Sequence, residues 1–177
     1  SLEIDETAMP SANPNNWGKL ETMTIGYGHG FAITPLHLSQ AYASIVNDGY
    51  KVEPTLLLRK ENPLFLKRII NTNTSKLIRK LLRAVVLETE YTGPRVKIKG
   101  YEIGGKTGTA ELINENGKYI KNANRTTFIG VFPMSKPKYV VLAMIDDPKK
   151  IEDENYSITA ATVVAPLVKN IILHMIK

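Results

Sequence analysis

The sequence contains no cysteine, and this absence removes several classes of function. Without thiols the chain can form no disulfide, no zinc-thiolate site and no cysteine nucleophile. Histidine is scarce as well, and His29, His37 and His174 do not lie at the paired spacing that metal ligands show. We therefore expect neither a metal centre nor a bound cofactor.

A long uninterrupted apolar run is also missing. The most apolar stretch, residues 158–176, contains Pro166, Lys169 and His174 within a helical repeat, which favours a helix docked on a globular core over a membrane span. No secretion signal is visible, since Ser1 opens directly into an acidic stretch. We expect the chain to be cut from a larger protein, with any membrane anchor outside these residues.

The charge balance is basic but does not identify a partner. The chain has 23 Lys and Arg against 17 Asp and Glu, which gives a formal net charge of +6. Such a surplus suits carboxylates or phosphates, yet the basic residues are scattered and are not interleaved with aromatic residues along one stripe. The sequence therefore predicts a solvated basic surface and no nucleic-acid partner.

The length of 177 residues, 43% of them hydrophobic, suffices for one domain with a sizeable core. We interpret residues 1–177 as the C-terminal fragment of a single domain. Residues 1–98 are expected to be mainly linking and helical, and residues 99–177 to hold a sheet and a final helix. Residues 1–24 are predicted to be irregular, and the three alternate glycines of residues 26–30 predict a sharply turning backbone.

Three segments carry helix signals. Thr34-Pro35 supplies a capping hydroxyl and a proline at the first helical position, and Gly49 is expected to stop this helix. Asn73-Thr74 predicts the cap of a second helix, and a final helix is predicted over about 159–176. In the second helix the periodicity predicts that one set of residues faces the core and another set faces water. The inward set is Leu77, Ile78, Leu81, Leu82 and Val85, and the outward set is Lys76, Arg79, Lys80 and Arg83.

Five segments have the composition of strands. They are residues 52–58, 64–70, 101–112, 126–132 and 139–145. The connections between the last three are too short to contain a crossover helix, so these strands should be antiparallel neighbours. The sequence thus predicts an α+β fold, in which an antiparallel meander of about three strands is covered by helices.

The stretch 100–111, GYEIGGKTGTAE, satisfies two incompatible motifs. Residues 100–107 match the phosphate-binding loop G-x-x-x-x-G-K-[ST], whereas residues 106–108 form the Lys-Thr-Gly triplet of penicillin-recognising serine enzymes. A phosphate-binding loop must lead into a helix whose N-terminal amides hold the phosphates. Gly108 is a poor residue for the start of a helix, and the predicted meander lacks parallel strands. The Lys-Thr-Gly interpretation is favoured, with a P-loop nucleotide-binding protein as the weaker alternative.

Further segments agree with the favoured interpretation and follow the expected order along the chain. They are Gly26-Tyr27-Gly28, Thr34-Pro35-Leu36, Ala41-Tyr42-Ala43, Gly104 to Ala110, and Asp146-Asp147-Pro148. With these segments the chain closely resembles the C-terminal part of the transpeptidase domain of class B penicillin-binding proteins. The resemblance extends from about Gly26 to the final helix.

This resemblance implies the C-terminal portion of the serine β-lactamase/transpeptidase-like fold. It also implies a parent D,D-transpeptidase that cross-links peptidoglycan stem peptides and is acylated by β-lactams. Such a parent is tethered to the cytoplasmic membrane, acts on its extracytoplasmic face and belongs to a cell-wall synthesis complex.

The site residues implied by the resemblance are Lys106, Thr107, Gly108 and Thr109. The backbone N–H of Thr109 would donate to the oxyanion, and Lys106 would lie near the substrate carboxylate and the second catalytic serine. The hydroxyls of Thr107 and Thr109 could hydrogen-bond in the cleft, with Thr109 preferred for the carboxylate. Gly105 and Gly108 lack side chains, which would let an extended ligand lie beside the strand.

The resembled enzymes also need a Ser-x-x-Lys nucleophile and a Ser-x-Asn motif, and the formal matches here lie in the wrong context. Ser135 follows the Lys-Thr-Gly strand within a short connection, and Ser11-Ala12-Asn13 lies in a proline-rich stretch. We therefore expect the isolated fragment to be inactive and to self-associate through exposed apolar surface. A non-catalytic penicillin-binding-like peptide-recognition module and a serine β-lactamase stay open as alternatives.

Overall fold

The computed structural model describes residues 17–28, 33–58, 67–116, 118–150 and 157–177. The helices and strands are α1 (Lys19–Gly26), α2 (Pro35–Val46), α3 (Thr72–Glu88), α4 (Gly93–Val96), β1 (Gly104–Ile113), β2 (Tyr119–Phe132), β3 (Tyr139–Asp146) and α5 (Ala160–Met175). Within the described residues, no helix combines the length and the apolar character that a membrane span requires.

The first described segment differs from the expectation of irregular structure, because residues 19–26 form α1. None of the residues of α1 is buried, so this helix contributes nothing to the core. The predicted turn after it is confirmed at Gly28, whose φ of +89° lies in the left-handed region that favours glycine. His29 and Gly30 lie outside the described residues.

Polar side chains cap the next two helices. Thr34 is the N-cap of α2 as predicted, and its hydroxyl oxygen accepts a hydrogen bond from the backbone N–H of His37. The predicted cap of α3 is wrong by about one half-turn. Asn71, rather than Asn73-Thr74, caps this helix, because its side-chain oxygen lies 2.8 Å from the backbone nitrogen of Thr74.

The faces of α3 also differ from the prediction. Leu82 is buried as expected, but Leu77 and Leu81 are 56% and 58% exposed. Their place against the core is taken by Ser75 and Val86, which are fully buried. The face toward the core therefore follows positions 75, 78, 82 and 86, of which Ile78 is partly buried, and it is rotated from the predicted apolar face.

The two strands predicted before α3 are not formed in the described residues. Residues 51–58 are irregular, and between α2 and α3 the described residues form a single isolated antiparallel bridge, which joins Tyr50 to Arg68. Residues 64–66 of the second predicted strand lie outside the described residues. Strand-like composition is insufficient here because no described strand extends along residues 52–58.

The three remaining predicted strands form the expected antiparallel meander. The sheet order is β1-β2-β3, with Lys106 opposite Ile129 and Ile129 opposite Leu142. A polar turn joins β1 to β2, and the side chain of Asn114 accepts hydrogen bonds from the backbone N–H groups of Asn116 and Lys118. The α+β fold class is confirmed.

Helices cover both faces of the sheet. On one face, Phe128 and Phe132 of the sheet pack with the buried side chains of α5, chiefly Val168 and Ile172. Gly130 permits this contact, since a Cβ there would lie 3.0 Å from Val168. On the other face, the buried residues Val46 of α2, Leu82 of α3, Val131 and Met134 form a second cluster.

Candidate functional site

The Lys-Thr-Gly segment is extended. Lys106, Thr107, Gly108 and Thr109 lie in the middle of β1, and the strand continues to Ile113. β1 pairs antiparallel with β2, and the residues directly after the triplet continue as strand rather than beginning a helix. The phosphate-binding interpretation is therefore wrong, because amides along a strand point alternately to opposite sides and cannot converge on one anion.

β1 is an edge strand of the described sheet. Its only described partner is β2, so one of its edges faces away from the sheet. In an antiparallel pair the residues alternate, and only every second residue exchanges backbone hydrogen bonds with the partner. The pairing register therefore determines which residues of β1 turn their amides toward the free edge.

The register of β2 answers this question. The backbone N–H of Asp147 donates to the carbonyl of Asn124 at 2.7 Å, so Asn124 bonds toward β3. By alternation Arg125 then bonds toward β1, where it lies opposite Ala110. By the same alternation, the backbone groups of Gly108 and Lys106 also form hydrogen bonds with β2.

Thr107 and Thr109 consequently turn both their N–H and their C=O toward the free edge. Two contacts agree with this assignment. The carbonyl of Ile103, which has the same parity, accepts a hydrogen bond from Arg83 at 2.6 Å. The carbonyl of Thr107 accepts one from the Lys106 ammonium at 2.8 Å.

The glycines before and within the triplet have different roles. A Cβ on Gly105 would lie 2.5 Å from Phe128 and 2.6 Å from the carbonyl oxygen of Ile129. Gly105 is therefore explained by internal packing rather than by clearance for a ligand. Gly108 is exposed, and a Cβ there would meet only Thr127, at 3.8 Å. The backbone beside Gly108 is open to an approaching molecule.

The polar side chains of the triplet region are accessible. Lys106 and Thr109 are exposed, and Thr107 is half-buried. Alternation along the strand places Thr107 and Thr109 on the face covered by α5, and Lys106 on the opposite face. The ammonium and the two hydroxyls therefore flank the same edge from its two sides.

The N-terminus of α5 approaches Thr109. The backbone N–H of Ala160, the first residue of the helix, donates to the Thr109 hydroxyl oxygen at 3.4 Å. This contact leaves the hydroxyl proton of Thr109 available to another acceptor. The helix end also carries partial positive charge, which favours an anion beside Thr109. The sequence predicts the start of α5 correctly, but nothing in it indicates this contact.

A fixed ion pair lies next along the sheet. Arg125 donates two hydrogen bonds of 2.6 Å to the carboxylate oxygens of Asp146. The guanidinium hydrogen bonds hold the pKa of Asp146 below its usual value. Because each charge satisfies the other, this pair adds little net charge to the edge near Thr109.

The other residues considered in the sequence do not join this site. His37 contacts Thr34, and His174 contacts the backbone of Asn170. The described part of the chain contains no group of three or more acidic or histidine side chains that could hold a metal ion. Ser135 lies in the irregular β2–β3 connection and opens no helix. Ser11-Ala12-Asn13 lies outside the described residues.

Comparisons with known proteins agree with the fold. Residues 3–172 match the family model described as the penicillin binding protein transpeptidase domain. Stage V sporulation protein D of Bacillus subtilis is 34% identical over 165 residues, which cover 87% of this chain and 24% of that protein. Peptidoglycan D,D-transpeptidase FtsI of Buchnera aphidicola is 29% identical over 171 residues, covering 94% of this chain and 28% of that protein. The chain thus spans about a quarter of the length of these relatives.

Solved structures give the same result. Penicillin binding protein 3 of Mycobacterium tuberculosis matches with a TM-score of 0.73 and 31% identity, over 91% of this chain and 39% of that one. The transpeptidase domain of penicillin-binding protein 3 from Burkholderia pseudomallei matches with a TM-score of 0.77 and 27% identity, over 91% of this chain and 47% of that one. Together with the family match over most of its length, these findings establish that the chain belongs to the penicillin-binding protein transpeptidase domain family.

Proposed function

We propose that the chain is the C-terminal part of a peptidoglycan D,D-transpeptidase, which transfers an acyl group between stem peptides through an acyl-serine intermediate. Several similar proteins bear the name peptidoglycan D,D-transpeptidase, and the Mycobacterium tuberculosis relative has been solved with aztreonam and with ampicillin. The observation that carries the proposal is the free edge of β1, where Thr107 and Thr109 turn their backbone groups outward.

The proposed reaction begins when a serine hydroxyl from another part of the parent protein attacks the peptide carbonyl next to a terminal D-alanine. The carbonyl oxygen becomes an oxyanion, which the N–H of Thr109 stabilises from the strand edge. The tetrahedral intermediate then collapses, the C–N bond breaks, and D-alanine leaves as a free amine with the proton that the serine hydroxyl gave up. An amine of a second stem peptide attacks the acyl-serine ester and forms the new amide bond, the ester C–O bond breaks, and the proton lost by the amine restores the serine hydroxyl.

The side chains along the edge suit the recognition of a terminal carboxylate. Thr109 has a hydroxyl proton to donate, since its oxygen already accepts the Ala160 N–H. The Lys106 ammonium supplies positive charge beside the same edge, and Thr107 supplies a second hydroxyl. We assign Thr109 to the carboxylate and Lys106 to the electrostatic attraction of substrate and to the second catalytic serine of the parent.

The backbone supports binding of the stem peptide as an added strand. An edge strand with outward N–H and C=O groups pairs with an extended peptide through main-chain hydrogen bonds. Gly108 lies within that edge and projects no side chain into the path of the ligand. A β-lactam, whose carbonyl and carboxylate replace those of the peptide, would occupy the same positions.

The test is covalent labelling by a fluorescent penicillin. The full-length parent should become labelled, whereas the isolated 177 residues should not, because we place the nucleophilic serine outside this chain. Labelling of the isolated chain at Ser135 or Ser11 would overturn that placement. Absence of labelling in the full-length parent, with the protein folded, would favour a non-catalytic peptide-recognition module instead.

Two further properties follow for the parent and for the isolated chain. We propose that the parent is anchored in the cytoplasmic membrane, with this domain on the extracytoplasmic face and in contact with a cell-wall synthesis complex. The isolated chain should self-associate, because Leu20 and Met23 of α1 and the following Tyr27 are 68–74% exposed and the outer edge of β3 has no described partner. Light scattering that finds a monomer at all concentrations would contradict this expectation.

A further inference from the structure

Basic residues cluster along one side of α3. Lys76, Arg79, Lys80 and Arg83 recur on α3 at i, i+3, i+4 and i+7, so they share one side of the helix. Together with Glu102 and Ser135 of the opposite wall they line a groove of about 440 Å³.

A second hollow of about 620 Å³ continues this groove past Arg83 and Glu102. It adds Lys97 and Lys99 from the loop that precedes β1. The two hollows, which we call the α3 groove, contain six basic residues against the two carboxylates of Glu88 and Glu102. The chain has a net charge of only +6, so much of its positive surplus lies around this one feature.

The arginines of the α3 groove are fixed in place. Arg83 donates to the carbonyl of Ile103 at 2.6 Å, and Arg79 lies 3.1 Å from the carboxylate of Asp48. The opposite wall is held as well, because Glu102 accepts a hydrogen bond from the backbone N–H of Ser135 at 3.0 Å. The groove therefore exists without a ligand, which lowers the conformational cost of binding.

The lysines of the α3 groove are the cations available to a partner. Lys76 and Lys80 are exposed and form no salt bridge with another described residue. The lining of the same hollow also contains the apolar residues Ala84, Leu87 and Met134, and Leu87 is 46% exposed. A partner for this surface needs both negative charge and an apolar side chain.

From this combination we propose that the α3 groove binds an acidic peptide segment of a partner protein, with an apolar side chain of that segment seated on Leu87 and Ala84. A flat anionic membrane does not enter a concave groove, and a polyphosphate chain has no apolar group for its floor. The carboxylates of the segment pair with Lys76 and Lys80, which sets the register of binding.

The proposal can be tested on the full-length protein by fluorescence anisotropy. The probe is a labelled peptide of alternating Glu and Leu, compared with the same peptide carrying Gln for Glu. The double variant Lys76→Gln/Lys80→Gln should weaken binding of the Glu probe about tenfold, since two Coulombic contacts are lost. Raising the salt concentration should also weaken binding of the Glu probe to the parent protein, because salt screens these charges.

The matched control removes the same charge at the opposite end of the sheet. Lys118 and Lys121 are exposed and lie at the β1–β2 end, so the Lys118→Gln/Lys121→Gln variant should bind the probe within about twofold of the parent. Both double variants should keep the melting temperature and the penicillin labelling of the parent, because all four side chains are exposed.

Several outcomes would overturn the proposal. Equal loss in both double variants would mean that only total charge matters, and equal binding of the Gln peptide would remove the role of the carboxylates. Tighter binding of inorganic polyphosphate, or of phosphatidylglycerol vesicles, to the same lysines would assign the α3 groove to a different class of ligand. No binding by the full-length protein would indicate that another of its segments already covers the groove.

Discussion

The contrasting environments of two glycines in β1 give a sharp prediction. In Gly105→Ala the new Cβ would lie 2.5 Å from the Phe128 ring and 2.6 Å from the carbonyl oxygen of Ile129, whereas in Gly108→Ala the nearest atom is 3.8 Å away. The ring and the backbone oxygen are both buried, so neither can move aside without disturbing the core or the ladder. We expect Gly105→Ala to lower the free energy of unfolding by about 3 kcal/mol, at the upper end of overpacking costs.

Gly108→Ala is the matched control for this change. Both substitutions restrict the unfolded chain equally and gain up to about 1 kcal/mol from that effect. Their difference therefore isolates the contact with Phe128 and Ile129, and Gly108→Ala should leave the free energy of unfolding unchanged or raise it by up to about 1 kcal/mol. Its effect should instead be on penicillin labelling, since the added methyl group projects from the strand that we propose binds the ligand.

The assay is urea unfolding of the full-length protein followed by intrinsic fluorescence, with the midpoint and slope fitted for each variant. A difference of about 3 kcal/mol would shift the melting temperature of a domain of 150–250 residues by about 6–12 °C, and the shift should be smaller in the larger domain of which this chain is a part. Equal stability of the two variants would refute the packing of Gly105 against Phe128, and with it the register deduced for β1.

Three further predictions concern single side chains. Thr109→Pro should reduce the rate of penicillin acylation about 10²–10³-fold through loss of one oxyanion donor, while Thr109→Ala, which keeps the N–H, should lose far less; proline is tolerated there because that N–H faces away from β2. Ser75→Ala should raise the free energy of unfolding by about 1 kcal/mol, since the buried Ser75 hydroxyl has no hydrogen-bond partner among the described residues. The depressed pKa of Asp146 means that its pairing with Arg125 stabilises the fold above the unfolded-state pKa of about 3.9 and is lost as the pH falls through the lower folded value. In Arg125→Met this pH-dependent contribution to the free energy of unfolding should disappear. It is below about 1 kcal/mol because the pair is exposed, and urea unfolding measured from pH 2 to pH 6 would detect its loss.

The features that the sequence predicts correctly depend on local signals. The meander follows from short polar connections, such as the turn at Asn114, and the strand containing Lys106 from the absence of a helix start after it. The capping threonines Thr34 and Thr159 mark the starts of α2 and α5 within one residue. Each of these signals acts over a few residues, so no tertiary contact is needed to interpret it.

The errors and omissions of the sequence analysis arise where tertiary contacts determine which residues are buried or meet one another. Leu77 and Leu81 fit an apolar helical face, yet the sheet selects a face rotated from it, and the small Ser75 lies where the helix approaches its neighbours. The contact between Thr109 and Ala160 joins residues far apart in sequence. The convergence of Lys80 with Lys97 and Lys99 around one groove likewise depends on how α3 packs against β1. Periodicity alone contains none of this information.

The most direct measurement of the central claim is a crystal structure of the full-length protein acylated by a β-lactam. The account predicts that the ester carbonyl oxygen lies 2.7–3.1 Å from the backbone nitrogen of Thr109, as expected for an oxyanion donor. The ligand should run antiparallel to β1 along its free edge, with its carboxylate within hydrogen-bonding distance of the Thr109 hydroxyl. An acyl oxygen that contacts neither this nitrogen nor this edge would contradict the assignment of β1 as the substrate-binding strand.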